Sequence, residues 1–324
     1  TRVPMASLER NGVRLGYTET GVGNGRGGPS DRELVLIHGW GAHKGFLRHQ
    51  QAEFAPRYRT LAVDLRGHGD SDSPETGYSI DQLASDTLWL MDQRGLDRPV
   101  VIGHGLGASV AIELACRVPQ RFPAVVALDA PLVLSTDYEH VVRSIRSGLQ
   151  TSHYAEALGN IVERDLFLST DDRQVRSWVI EQMRSVPQHV LVQTLHAIEQ
   201  WGGDSAVAQC PVPTYYVASA TTPADLHRLA QLSPGTTLAM TPEVGHFHQL
   251  LAPSRVNALI AAFVDQIERQ QARHGPTEPT LAVGDAASPV APATTTPVAP
   301  LPELPSVPPL PNTPIAPPSL PPVV

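Results

Sequence analysis

Only two of the 324 residues are cysteine, Cys116 and Cys210, and they stand 94 positions apart. Two thiols so placed make neither the disulfide framework of a small secreted domain nor a zinc site, so both are read as reduced core residues of a cytoplasmic protein. No apolar run approaches the ~18 residues that a membrane-spanning helix needs, and no membrane partner is expected. Basic blocks are missing as well: 24 Lys+Arg against 32 Asp+Glu give a net charge of −8, which makes nucleic acid an electrostatically unnatural partner. Lysine itself is almost absent, Lys44 being the only one; this bias toward arginine points to a GC-rich bacterial genome. Thr1 to Glu9 lacks the charged start and apolar centre of a signal peptide. None of the 13 histidines has a convincing metal spacing with carboxylates. Neither a metal nor another cofactor is expected, and the natural partner is a small-molecule substrate.

What is present reads as one α/β domain with an insertion. Residues 8–19 alternate in polarity and are followed by a Gly-rich turn, Gly21 to Gly28, which suggests an opening hairpin. Short apolar runs follow at Leu34–Ile37, Thr60–Val63, Val100–Ile102 and Val125–Leu128, with helical periodicity between the later ones. Such runs suit strands buried on both faces of a mostly parallel sheet. Ser79 and Asp81 open a helix that stops near Gly95, and a second runs from about Leu106 to Arg117. From Pro131 to Asp204 helical patterns dominate, which reads as an inserted cap. Strand signals return at Thr214–Ala218 and Thr237–Met240, before a final helix from Ser254 to Arg269. The expected division is core 1–134, cap 135–205, core 206–272 and Pro-rich tail 273–324.

That tail holds 16 prolines from Gly275 onward, with no aromatic and no basic residue, so it cannot pack a core of its own. Prolines at 302, 305, 308, 311, 314 and 317 keep the three-residue period of polyproline II. The tail is read as a disordered or polyproline tether, with docking into an aromatic-lined groove, on its own domain or a partner's, as the sharper alternative.

The chemistry is concentrated in Gly103-His104-Gly105-Leu106-Gly107, where a buried strand turns into a helix. This run resembles the G-x-S-x-G nucleophile elbow of the α/β-hydrolase superfamily at every place but the reactive one, which is Gly105. Three more runs resemble the same superfamily. In His38-Gly39-Trp40-Gly41 the resemblance implies that the backbone N–H of Trp40 joins that of Leu106 in an oxyanion hole. Asp64-Leu65-Arg66-Gly67-His68-Gly69-Asp70-Ser71 is like the family's D-x-R-G-x-G-x-S turn. Gly245-His246-Phe247-His248 lies where the family keeps its base, His246. For the acid that orients this base, Asp129 at the end of a strand is favoured over Asp225. His38, Gly39, His104 and His248 stand around these motifs and are placed at the substrate site, although His38 is also read as bonding to backbone and His104 as packing beneath the elbow. Gly103-x-Gly105-x-x-Ala108, with Asp129 beyond it, also fits a dinucleotide fingerprint. Two buried strands and a hairpin precede it, however, and that reading leaves the other three runs unexplained.

Loss of the elbow nucleophile typically costs ~10⁶ in rate, while substrate binding survives. Three readings follow. The first is a nucleophile-deficient, inactive hydrolase form that holds a medium-sized, largely apolar ester or lactone. The second is a base-led enzyme, a lyase or water-activating hydrolase, in which His246 and Asp129 act without a covalent intermediate. The third is a non-catalytic binding protein.

Overall fold

The structure is a computed structural model that describes residues 6–21 and 32–274. The Gly-rich turn beyond residue 21 and the proline-rich tail lie outside the described residues. Within the alternating run the chain turns earlier than the sequence reading expects. Strands β1 (Ala6–Arg10) and β2 (Val13–Thr20) pair antiparallel around Asn11-Gly12, with Leu8 opposite Leu15. Asn11 and Gly12 have φ of 51° and 78°, the left-handed pair that a tight hairpin turn of this hand requires.

The apolar runs become β3 (Glu33–Ile37), β4 (Arg59–Val63), β5 (Val100–His104), β6 (Val125–Leu128), β7 (Thr214–Ser219) and β8 (Thr237–Thr241). The sheet order is β1-β2-β4-β3-β5-β6-β7-β8; all pairs beyond β2–β4 are parallel. Helices α1 (Arg48–Phe54), α2 (Ile80–Arg94) and α3 (Leu106–Arg117) fill the first crossovers. Ser79 caps α2 by accepting from the Gln82 amide, and Gly95, at φ 64°, ends it. Between β6 and β7 come α4 (Glu139–Leu149), α5 (Tyr154–Asp165), α6 (Arg173–Arg184), α7 (Gln188–Gln200) and α8 (Gly203–Gln209). Then α9 (Leu226–Leu232) precedes β8, and α10 (His248–Leu251) and α11 (Pro253–His274) follow it. The sequence reading passes over the short helices α1, α8, α9 and α10, which are too brief to show a period of 3.6. Among the described residues no helix is long and apolar enough to cross a membrane.

The strand alternation sorts the core into two layers. Val35, Ile37, Val101, Val125 and Ala127 face α2, α3 and α8, whereas Leu34, Leu36, Ile102, Val126 and Leu128 face α1 and α11. Every one of these strand residues is fully buried, which stabilises the fold by roughly 1.5–3 kcal/mol for each large aliphatic side chain. A third apolar cluster unites α4–α7 around Val141, Ile145, Leu158, Val179, Met183 and Leu191, and joins them to Phe46 and Phe247 of the core. The four helices therefore sit over the carboxyl ends of the central strands, the end where parallel sheets place their sites.

Candidate active site

Strand β5 ends at His104, and the next residue, Gly105, makes the sharp turn into α3 with φ 51° and ψ −120°. Its two flanking glycines are sterically required. A β-carbon on Gly103 would stand 2.3 Å from the Gly107 carbonyl oxygen, and one on Gly107 would stand 2.2 Å from that of Ile37. Gly105 is different, because its β-carbon would come no nearer than 3.6 Å to the Gly39 Cα and 3.7 Å to His246 Nε2, which is ordinary contact. The turn has space for a side chain that it does not carry, at a backbone angle glycine adopts without strain.

His246 stands in the loop between β8 and α10, its amide anchored on the Leu166 carbonyl at 2.9 Å. Its Nδ1–H donates to Asp129 Oδ2 at 2.8 Å, which leaves Nε2 facing the elbow. Asp129 terminates β6 in the left-handed region, at φ 45°, and is fully buried. A non-glycine residue held there is strained, as functional residues often are. Ser219, at the end of the neighbouring β7, donates its amide to Oδ1 at 2.7 Å and its hydroxyl to Oδ2 at 2.8 Å. Burial pushes the Asp129 carboxyl up, but the hydrogen bond from His246, the nearby imidazoles and the Ser219 amide outweigh it and hold the pKa at about 2. The acid stays ionised and fixes the tautomer of its partner.

The amide of Leu106 is the first of α3, where backbone donors have no helical acceptor and the helix dipole is positive. Among the described residues neither this amide nor that of Trp40 donates to another protein group. Above the elbow opens a cavity of about 290 Å³, with Trp40, Gly105, Leu106 and His246 in its wall. Leu132, Tyr138, Ile145, Met183 and Leu195 supply much of its apolar lining. The Trp40 indole donates to the Leu191 carbonyl at 3.0 Å and so ties the loop after β3 to α7. Tyr138 also stands in this wall; burial, then the charges of Asp129 and Asp165, raise its pKa, so it remains a neutral phenol.

Three histidines assigned to the substrate site do not reach the cavity, which corrects the sequence reading. His38 is fully buried with both ring nitrogens on backbone, Nδ1 to the Gly39 carbonyl at 2.8 Å and Nε2 to the Leu65 amide at 3.0 Å. It braces the turn after β3 against the turn after β4. His104 lies beneath the elbow, its Nε2 donating to the His246 carbonyl at 3.1 Å, and burial followed by the neighbouring His246 and His248 keeps it neutral. His248 is buried against the Thr241 hydroxyl at 2.8 Å, and burial pushes its pKa down to about 4. Gly39 does meet the site, through its Cα. Asp225 is remote from this chemistry: it is the N-cap of α9, accepting from the Arg228 amide at 2.9 Å. Ser219 and the wall residues Leu132, Ile145, Met183 and Leu195 are site residues the sequence reading does not assign. Among the described residues no cluster of three or more His, Cys, Asp or Glu could hold a metal ion.

Comparison with known proteins agrees with this fold. The family model for the alpha/beta hydrolase fold matches residues 33–253. Over 149 residues, 45% of this chain and 40% of the relative, the chain is 31% identical to epoxide hydrolase 4 of Mus musculus. Over 146 residues, 44% of this chain and 52% of the relative, it is 34% identical to 2-heptyl-3-hydroxy-4-quinolone dioxygenase AqdC2 of Rhodococcus erythropolis. The matched region thus spans about half or less of these curated relatives. Among solved structures, Est816, described as an N-acyl homoserine lactone degrading enzyme, superposes with a TM-score of 0.68 at 26% identity, over 80% of this chain and 100% of that one. The enol-lactonase from Burkholderia xenovorans LB400 shares the fold with a TM-score of 0.71 at 22% identity, over 81% of this chain and 100% of that one.

Proposed function

Because the chain belongs to the α/β-hydrolase fold family, we propose that it is a nucleophile-deficient member that binds a medium-sized, largely apolar ester or lactone. The observation that carries this reading is the elbow itself. Gly105 keeps the backbone turn, the space for a β-carbon and the distance to His246 Nε2, and gives up only the attacking atom. In the complete reaction an elbow hydroxyl would pass its proton to Nε2 while its oxygen attacked the carbonyl, and the Trp40 and Leu106 amides would receive the oxyanion. Here the amides and the imidazolium-stabilising Asp129 remain, so the carbonyl is held without being attacked. The apolar lining selects the acyl or ring portion of the ligand by burial. The match to Est816, a lactone-degrading enzyme, supports the substrate class.

A second reading rests on the His246–Asp129 pair, which is complete as a general base without any nucleophile. In that reading Nε2 takes a proton from water or directly from an acidic substrate, and the two amides stabilise the resulting anion. Similarity to a protein described as a dioxygenase keeps non-hydrolytic chemistry in view.

The test is to titrate the unmodified protein with a panel of aryl esters and acyl lactones while following both binding and product. Saturable binding without turnover, lost when Leu132→Trp fills the cavity, supports the first reading. Turnover that disappears in His246→Ala supports the second. Failure to bind any member of the panel overturns both and leaves a different binding role.

A further inference from the structure

The two cysteines, unrelated by spacing, meet in the fold. Cys116 lies in the last turn of α3, and its thiol donates to the carbonyl of Ala206, on α8, at 3.5 Å. Cys210 is the residue that follows α8, four positions after Ala206. The two thiols are near enough for each to shift the titration of the other, and both pack against the same apolar cluster while remaining only partly buried. We propose that Cys116 and Cys210 are a peroxide-sensitive thiol pair that closes into an intramolecular disulfide, stapling α8 to α3. The bond would join positions on either side of β6 and helices α4–α7, so the ring it closes contains the whole helical insertion.

The chemistry balances with a hydroperoxide as the oxidant. Beside Cys116, and against the effect of burial, the Cys210 thiol is drawn down to about 7, which makes it the member of the pair that supplies the attacking thiolate. Its sulfur attacks the peroxide O–O bond; an S–O bond forms, that O–O bond breaks, and water leaves after protonation. The Cys116 sulfur then attacks the Cys210 sulfenic acid; the S–S bond forms, the S–O bond breaks, and a second water carries away the Cys116 proton. Two thiols lose two electrons to one peroxide. The first residues of α8, Gly203 and Asp204, line the cavity, and α3 begins at Leu106, so the staple connects the cavity wall to the elbow helix. The inference stands independently of the proposed substrate class.

The test treats the full chain with hydrogen peroxide, against a reduced reference, and reads intact mass, non-reducing peptide maps and thermal unfolding. The expected product is lighter by two hydrogens, shows one cross-linked peptide pair joining Cys116 to Cys210, and unfolds roughly 5–10 °C higher. Dithiothreitol reverses all three. In Cys116→Ser the same treatment leaves Cys210 as an oxygen adduct with no cross-link. The proposal is overturned if both thiols of the oxidised protein stay titratable, if each gains oxygen separately, or if cross-links join different molecules.

Discussion

His246 Nε2 lies 3.7 Å from the point at which a β-carbon on Gly105 would stand, so base and elbow are in register although no nucleophile joins them. A side-chain oxygen one bond further on would come within hydrogen-bonding range of that nitrogen. In the proposed reading the arrangement is that of an acyl-transfer site that keeps its base and elbow and lacks only the attacking atom.

Asp129→Asn should disable the base and flatten the acid dependence of stability together. In a variant that carries a nucleophile, the asparagine would favour the wrong tautomer of His246, for a loss of about 10⁴ in kcat. The stability effect has a definite sign. The folded carboxyl titrates at about 2 against an ordinary 3.8, so its contribution is fully present above pH ~4 and is lost as pH falls from there through 2. A shift of that size corresponds to about 2 kcal/mol. Urea midpoints measured from pH 2 to 6 should therefore fall less steeply in Asp129→Asn than in the parent.

His248 supplies an opposite case at higher pH. Its folded pKa of about 4 lies below the ordinary 6.5, so between these values the unfolded chain binds the extra proton and stability declines as pH falls from 6.5 to 4. His248→Gln should remove about one proton from the uptake on unfolding in that window, read as a shallower slope of unfolding free energy against pH. An unchanged slope would mean that the ring is protonated in the folded protein.

Glycine substitutions should separate the three positions of the elbow. Gly107→Ala places a methyl group 2.2 Å from the Ile37 carbonyl oxygen, a clash of backbone against side chain that nothing flexible can relieve. A loss of about 3 kcal/mol or more, or failure to fold, is expected. Gly105→Ala has room and bears only the strain of its positive φ, of order 1–2 kcal/mol. Chemical denaturation of both variants measures the contrast.

Much of this site is legible in the sequence because it consists of local turns. The elbow, the His38–Gly41 loop and the His246 loop each follow a short apolar strand, and the parallel sheet gathers strand ends without further instruction. Asp129 is readable for the same reason, as the residue that follows β6. What the sequence hides is rotation and cross-strand partnership. His38, His104 and His248 stand beside the site in sequence, yet their rings turn into backbone or into Thr241. Ser219 is inconspicuous until β7 lies beside β6 and brings two donors onto Asp129. The Cys116–Cys210 meeting depends on how α8 docks on α3, which no spacing of 94 residues encodes. The hairpin turn was available in the letters, since Asn11-Gly12 is a strong turn pair, but the Gly-rich stretch that follows masks it.

The most direct test of the account is covalent labelling at the elbow. Gly105→Ser, treated with a fluorophosphonate and read by intact mass, is predicted to gain one adduct that maps to residue 105. The unmodified protein and Gly105→Ala should gain none, and His246→Ala in the serine background should slow labelling by at least 10²-fold. A folded Gly105→Ser protein that resists the probe, while the unmodified chain hydrolyses esters at the same rate, would contradict the claim that this site is intact but for its nucleophile.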